Sequence, residues 1–440
     1  MRNGEPDERI ARPGVEKGVI GHGGPMLPAA MWPHAGGVRA LVSGNRGSLA
    51  ILAMVVAIGV AWRVSVLGID GHHGDVLVMT RWAERMAEVG PWPFYEGSNS
   101  VYPALLYPLW ALGVILDGPA LALAVKGLSI PFDVGIAGLL AAMLWRRSGP
   151  SDAVTAVGLF MFNPAALLAG PIWGQVDSAG TLAFLAALVL LAQGRHGAAG
   201  ALGVIALMVK PQFGLVLLPV VAVVALRARR DGAPGPMLRA FSGMGLAYAI
   251  VAAPLALHPV RYLDILGSTA TRQPFTSLNA FNPWGLLVGF KVPDGPYVLA
   301  GTVLLVVGCI ASLTVLRRRL DLVTMLAVGA LLVLAFYFLP TRVHERYLYP
   351  AIAVLAPLAL VGRAELLAYL GLTAGFSGAL LFALSTTTAF RLPEPIADGI
   401  ASPLAIWAIG LLLIGSALAW TWLLAVRSPR LPRPRRARAP

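Results

Sequence analysis

The sequence predicts an all-α polytopic membrane protein of about twelve transmembrane helices, with amphipathic helices in its first extracytoplasmic loop. Of its 440 residues, 57% are hydrophobic and 12% charged, about half the charged share of a soluble domain. The apolar residues gather in runs, many near the ~20 residues that cross about 30 Å of hydrocarbon. Arginine doublets and triplets punctuate those runs. The net charge of +13 therefore does not point to nucleic acid: the arginines sit in short loops and tails, where the positive-inside rule puts them. The one cysteine, Cys309, lies within an apolar run, so no intramolecular disulfide forms.

Residues 1–45 are rich in Gly, Pro and Arg and carry no apolar core, predicting a disordered basic cytoplasmic tail. Residues 46–426 read as one transmembrane domain. The basic, Pro-rich stretch 427–440 reads as a second cytoplasmic tail touching anionic lipid.

The first span, 48–67, leads outward into a long loop, 68–118. Within it, Val76, Met79, Ala83 and Met86 recur at spacings of three and four, while Thr80, Arg81, Glu84, Arg85 and Glu88 take the other side. That spacing predicts an amphipathic helix over 75–89 lying on a membrane surface. After an aromatic turn at 91–95, the stretch 102–116 is too short and too broken by proline to cross, and reads as a second surface helix. Spans are then expected at 120–145, 154–172, 181–192, 201–209, 213–226, 241–257, 297–316, 322–339, 348–361, 366–384 and 404–426. This order puts both termini inside and every arginine doublet or triplet on the same side.

The remaining polar clusters then converge on the outer face: Asp70 to Asp75, Tyr102-Pro103, Gln175 with Asp177, Lys210 with Gln212, and Arg342, His344, Glu345 and Arg346. Ionisable groups near membrane depth are costly and tend to mark function. Plain structural roles stand beside that reading. Asp75 suits the first turn of a helix, Lys210 can snorkel, tryptophans at span ends suit an interfacial belt, and Asp133 suits packing or hydrogen bonding within its span. Two arginines, a histidine and a glutamate between two spans suit a fork-shaped anion site.

The motifs WGQVDS at 173–178, VKPQ at 209–212 and VHERYLYP at 343–350 resemble those of bacterial mannosyltransferases related to the second mannosyltransferase of GPI-anchor synthesis. The spacing of Asp75 and Trp82, the Tyr102-Pro103 helix and the His344-Glu345 pair are similar to the dolichyl-phosphate-glucose glucosyltransferases of N-glycan assembly. Ala104 departs from that pattern, where the family shows a second proline. Both groups belong to the GT-C superfamily of polyprenyl-phosphate-sugar-dependent enzymes.

The resemblance implies a GT-C-like fold and an inverting transfer of a hexose, mannose foremost. The donor is a polyprenyl-phosphate sugar. The acceptor is a hydroxyl of a lipid-linked or cell-envelope glycan, at the extracytoplasmic face of the plasma membrane. Asp75 matches the family's catalytic aspartate and becomes the general base. Lys210, Arg342, His344 and Arg346 become ligands of the donor phosphate, and Gln175, Asp177, Tyr102, Gln212 and Glu345 bind substrate. A phosphate leaving group is already anionic, so one base plus cations is enough. No Asp-x-Asp pair of the kind that holds a metal with a nucleotide sugar is present, and the reaction is expected to need neither metal nor cofactor. A lipid-linked glycan flippase, which would show pseudo-repeated halves, and a glycan polymerase or ligase are the competing classes.

Overall fold

The computed structural model describes residues 46–98, 100–387, 390–427 and 431. The predicted tails, 1–45 and almost all of 427–440, lie outside the described residues. In chain order the main helices are α1 (Arg46–Ser65), α2 (His73–Val89), α3 (Pro91–Ser98), α4 (Pro103–Ile115), α5 (Gly118–Gly127), α6 (Ser129–Trp145), α7 (Pro150–Met161), α8 (Pro164–Ile172), α9 (Asp177–Ala192) and α10 (His196–Val209). They continue as α11 (Leu217–Asp231), α12 (Gly235–Ala252), α13 (Pro259–Ala270), α14 (Pro283–Leu287), α15 (Val298–Thr314), α16 (Leu322–Phe338), α17 (Tyr349–Leu355), α18 (Arg363–Thr387), α19 (Glu394–Ala401) and α20 (Pro403–Val426). No β-strand occurs among the described residues; only isolated bridges join 275 to 293 and 278–279 to 344.

Among the described residues, seven helical stretches are long and apolar enough to cross a membrane, and an eighth if α7 and α8, bent by 47°, form one span. The outward surfaces agree. On α15, Leu299, Val306, Val307 and Ile310 are more than half exposed, as are Leu404, Leu411 and Leu418 on α20. Large aliphatic side chains facing outward in such rows suit lipid rather than water. The chain is a membrane protein by length and composition.

Inside this outer layer lies a second one. On α16 every residue but Phe336 is buried, α17 is buried throughout, and α9 nearly so. Helices enclosed on all sides carry no amphipathic signal. At 14 to 17 residues, α9, α10 and α16 reach about 21–25 Å at 1.5 Å per residue. With α4 they are the shorter apolar helices beyond the seven long ones among the described residues.

Two proline breaks shape the path to the site. At the α7–α8 bend, Pro164 offers no N–H to the helix ladder. The Asn163 side chain takes over, its Oδ1 accepting from Ala165 N at 3.0 Å and its Nδ2 donating to the hydroxyls of Tyr369 and Thr373 on α18. Pro171 then falls in a π-helical turn, Leu168–Ile172, the widened geometry that often accompanies functional sites. It delivers the chain to Trp173.

The helix predicted over 75–89 is present as α2, with one correction. Its apolar face, Met79, Ala83 and Met86, is buried in one cluster with Leu105, Leu106 and Leu109 of α4. It does not lie open to a membrane. The spacing of three and four marks a face that must be covered, whether by lipid or by protein, and here α4 covers it. The stretch 258–284, which lies between the spans expected at 241–257 and 297–316, contains α13, started by His258 accepting from Val260 N at 3.3 Å.

Asp133 has the hydrogen-bonding role expected of it, with an unexpected partner. Arg63 of α1 places Nε 2.7 Å from Asp133 Oδ2, both side chains wholly buried, and the Tyr349 hydroxyl donates to Oδ1 at 2.8 Å. Arg63 Nη1 also donates to the carbonyl of Met161. One ion pair thus ties α1, α6, α7 and α17. Removing one partner strands a buried charge. Arg63→Ala is expected to lower stability by about 3–5 kcal/mol, read as a drop in the thermal unfolding midpoint of the detergent-solubilised protein. An unchanged midpoint would contradict it.

Candidate functional site

Three segments meet at one end of the inner layer: the start of α2, the 172–177 turn after α8, and the 340–348 loop after α16. At the first, the His72 ring caps α2, Nδ1 accepting from Asp75 N at 3.0 Å. Asp75 therefore sits in the first helical turn, where backbone N–H groups and the helix dipole favour a carboxylate. His72 also lies flat on the Trp173 indole, 5.2 Å between centroids and 7° between planes, and its N–H donates to the Trp173 carbonyl.

Two glycines permit this closeness. A Cβ on Gly71 would overlap the Ile172 carbonyl oxygen, and one on Gly174, at φ +91°, would strike Val76. Asp75 Oδ2 then accepts from Trp173 Nε1 at 2.9 Å and from Gln175 Nε2 at 2.5 Å. Trp173 is 2% exposed. Its span-end position suggested an interfacial belt, but the structure seats it as the floor of the site.

The third segment is braced by the loop before α14. Leu278 N donates to Val343 O at 2.8 Å, and Glu345 N to Leu278 O at 3.3 Å. This brings Arg346 to the other side of Asp75: its Nη2 lies 4.0 Å from Oδ2 and its guanidinium 5.6 Å from the Trp173 ring, while Nη1 donates to Glu345 Oε1 at 2.7 Å. His344 Nε2 pairs with Gln273 Oε1 at 2.9 Å. Together His72, Asp75, Trp173, His344, Glu345 and Arg346 line a cavity of about 220 Å³, with Lys291 and Asn279 at its edge. That is below the roughly 300–1,000 Å³ of whole-ligand pockets, so it suits one small polar fragment of a larger molecule.

Behind Asp75 runs a second, enclosed row. Lys210 Nζ donates to Gln175 Oε1 and to Asp177 Oδ1, each at 2.6 Å, and lies 6.0 Å from the centre of the Tyr102 ring. Gln175 links the rows, donating to Asp75 and accepting from Lys210.

The residues expected to act together thus divide. Asp75, His344, Glu345 and Arg346 reach the cavity. Tyr102, Gln175, Asp177 and Lys210 form the row behind, so Lys210 does not present its ammonium to the cavity. Gln212 does not line it, and its Nε2 is buried without a partner among the described residues. Arg342 turns away altogether: Nε and Nη2 pair with both oxygens of Asp294, at 2.7 and 3.2 Å. The expected two-arginine fork is therefore one cavity arginine and one clamp. The left-handed backbone of Arg342, φ +63°, is held in place by that clamp and by its N–H bond to Phe275 O. His72, Trp173, Gln273 and Lys291 were not among the expected site residues. Trp173 opens the motif 173–178 and His72 lies within the cluster from Asp70 to Asp75, but neither was assigned a role there, whereas no local pattern marks Gln273 or Lys291.

Burial works to raise the Asp75 pKa, but Arg346, His72, the Trp173 N–H and Lys210 outweigh it and hold it at about 2. The carboxylate is ionised at any working pH. Burial also disfavours charge on Arg346, but Asp75, Glu345 and Asp177 raise its pKa above its ordinary value. Burial, reinforced by Arg346, keeps His344 well below the ordinary histidine range. It enters as a neutral hydrogen-bonding ring, not as a cation. No protein-family model matches this chain, and no curated protein matches it.

If Arg342 is a clamp, Arg342→Ala frees the 340–348 loop. Loss of charge-assisted bonds worth about 1.5–3 kcal/mol is expected to speed hydrogen exchange at the Leu278 and Glu345 amides by at least about tenfold. Unaltered exchange there would show that the Asp294 pair does not brace the loop.

Proposed function

We propose that this chain is a membrane glycosyltransferase of the GT-C type. It moves a hexose, mannose by its motifs, from a polyprenyl-phosphate sugar to a glycan acceptor hydroxyl, with inversion. On this reading the short inner helices complete about twelve crossings of the plasma membrane, and the Asp75 cavity opens on the extracytoplasmic face.

One observation carries the proposal: an ionised carboxylate, Asp75, and a cation, Arg346, face the same small polar cavity 4.0 Å apart. Such a pair suits displacement of an anionic leaving group. The acceptor oxygen attacks the anomeric carbon while Asp75 takes its proton. The bond from that carbon to the phosphate oxygen breaks, and its electron pair leaves with the phosphate. Arg346, with Lys291 at the cavity edge, meets the developing charge. A phosphate beside Arg346 also offsets part of the positive field that depresses the Asp75 pKa, so donor binding raises the basicity of Asp75 when it is needed.

The test is release of polyprenyl phosphate by purified protein given polyprenyl-phosphate mannose, with and without a lipid extract as acceptor. Release that depends on the extract is expected. Absence of release from any polyprenyl-phosphate sugar would overturn the proposal. Asp75→Asn keeps the shape but not the base, and is expected to slow turnover by about 10²–10⁴-fold with donor binding within a few-fold of the parent. Near-parental turnover would remove Asp75 from that role.

Arg346→Ala is expected to weaken donor binding by about 10- to 100-fold and acceptor affinity far less, as measured by titration. The reverse order would refute the phosphate assignment. The sign of the His344 shift gives a pH prediction. A cationic histidine ligand would lose donor affinity as pH rises through its pKa. His344, already neutral, predicts a donor Kd that is flat from about pH 6 to 8, and a steady weakening over that range would refute it.

A further inference from the structure

The triplet Arg317-Arg318-Arg319 is one of those that fall on the side of the termini in the expected topology, and it has no part in the proposed chemistry. In the fold its last two residues, Arg318 and Arg319, line a cavity of about 790 Å³ at the far end of α16, together with Arg363 of α18 and Arg427 after α20. Two carboxylates accompany the arginines. Asp321 is spent capping α16, its Oδ1 accepting from the N–H and hydroxyl of Thr324 at 2.9 and 2.8 Å. Glu365 is buried, 3.9 Å from Arg427. Four arginines against two carboxylates leave the bowl net positive.

Arg318 and Val315 line this bowl and also a second cavity of about 580 Å³. The second is an apolar slot between α15, α16 and α20, walled by small and aliphatic residues such as Gly308, Ala311, Ala335 and Leu418, and it extends to Leu339 and Pro283. The positions that line the slot along α15 and just past it, from Gly308 to Arg318, span about 15 Å at 1.5 Å per residue, which matches the roughly 15 Å depth of one leaflet's hydrocarbon. A basic bowl continuous with an apolar slot is complementary to a molecule with an anionic head and a long apolar chain. Arginine is the side chain suited to gripping a phosphate, and basic pockets between transmembrane helices bind anionic headgroups.

We infer that this end of the bundle holds an anionic phospholipid, its phosphodiester among Arg318, Arg319 and Arg363 and one acyl chain in the slot between α15, α16 and α20. The site is separate from the Asp75 cavity, which lies beyond the opposite end of α16. It rests on the chain being a membrane protein and not on the glycosyltransferase reading.

Full-length protein, delipidated in detergent, would be exposed to phosphatidylglycerol, phosphatidylcholine or glycerol 3-phosphate, and retained ligand counted by native mass spectrometry. One phosphatidylglycerol per chain is expected, held well above phosphatidylcholine. Arg319→Gln and Arg363→Gln, both at exposed positions, are each expected to weaken it about fivefold. Ala311→Leu, which fills the slot from an exposed position, is expected to weaken it without altering headgroup preference. Equal retention of phosphatidylcholine would overturn the role of the arginines. Glycerol 3-phosphate displacing the lipid at equal concentration would make the bowl a free-phosphate site and overturn the role of the slot.

Discussion

The polar end of the molecule depends on how one carboxylate is held. Asp75 Oδ2 takes hydrogen bonds from Trp173 and Gln175 and faces Arg346, so a single oxygen joins three segments that lie far apart along the chain. A half-buried carboxylate needs such partners, because desolvation without them would neutralise it. That need propagates outward. It explains the glycine at 71, where the chain presses on the Ile172 carbonyl, and the glycine at 174, whose backbone is left-handed. It also fits the packing of α2 on α4, since a helix that holds a carboxylate at a fixed place in a cavity must itself be fixed to the protein.

Charge is layered behind that oxygen. Glu345, buried and paired to Arg346 at 2.7 Å, fixes the guanidinium without occupying all of it: Arg346 Nε has no partner among the described residues. Lys210 sits one residue deeper, neutralised by Asp177 and relayed through Gln175. It acts on the site as a field rather than as a ligand. Removing a charge from this buried row would leave its partner stranded, so the row is bound to the shape of the site as firmly as the cavity residues are. The Arg63–Asp133 pair does the same for the frame, locking α1, α6 and α17 beneath the loops that converge on Trp173.

Much of this could be read from the residues in order, and the reasons for the rest are physical. Asp75 was recognisable because a carboxylate opening an amphipathic helix in an otherwise apolar chain is conspicuous. Gln175, Asp177 and Lys210 stood out as polar residues between apolar runs. What the pattern could not convey was which of them face a cavity and which face each other. That depends on the bend at Asn163-Pro164 and the π turn at Pro171, neither of which leaves a hydropathy signal. Arg342 and Arg346 lie four residues apart and look alike in sequence; only the position of Asp294, 48 residues upstream, separates the clamp from the arginine that faces the cavity. Likewise the periodicity of α2 announced a face to be buried but not its partner, and the enclosed helices α9 and α16 show no periodicity at all.

A single base and an anionic leaving group imply a single displacement, and a single displacement inverts the anomeric carbon. The most direct measurement is therefore the configuration of the transferred sugar, read by NMR on product made by the purified protein from a β-linked polyprenyl-phosphate mannose. An α-linked product is what one carboxylate beside Arg346 predicts. A β-linked product would require two displacements and a second nucleophile, and would contradict the role given to Asp75.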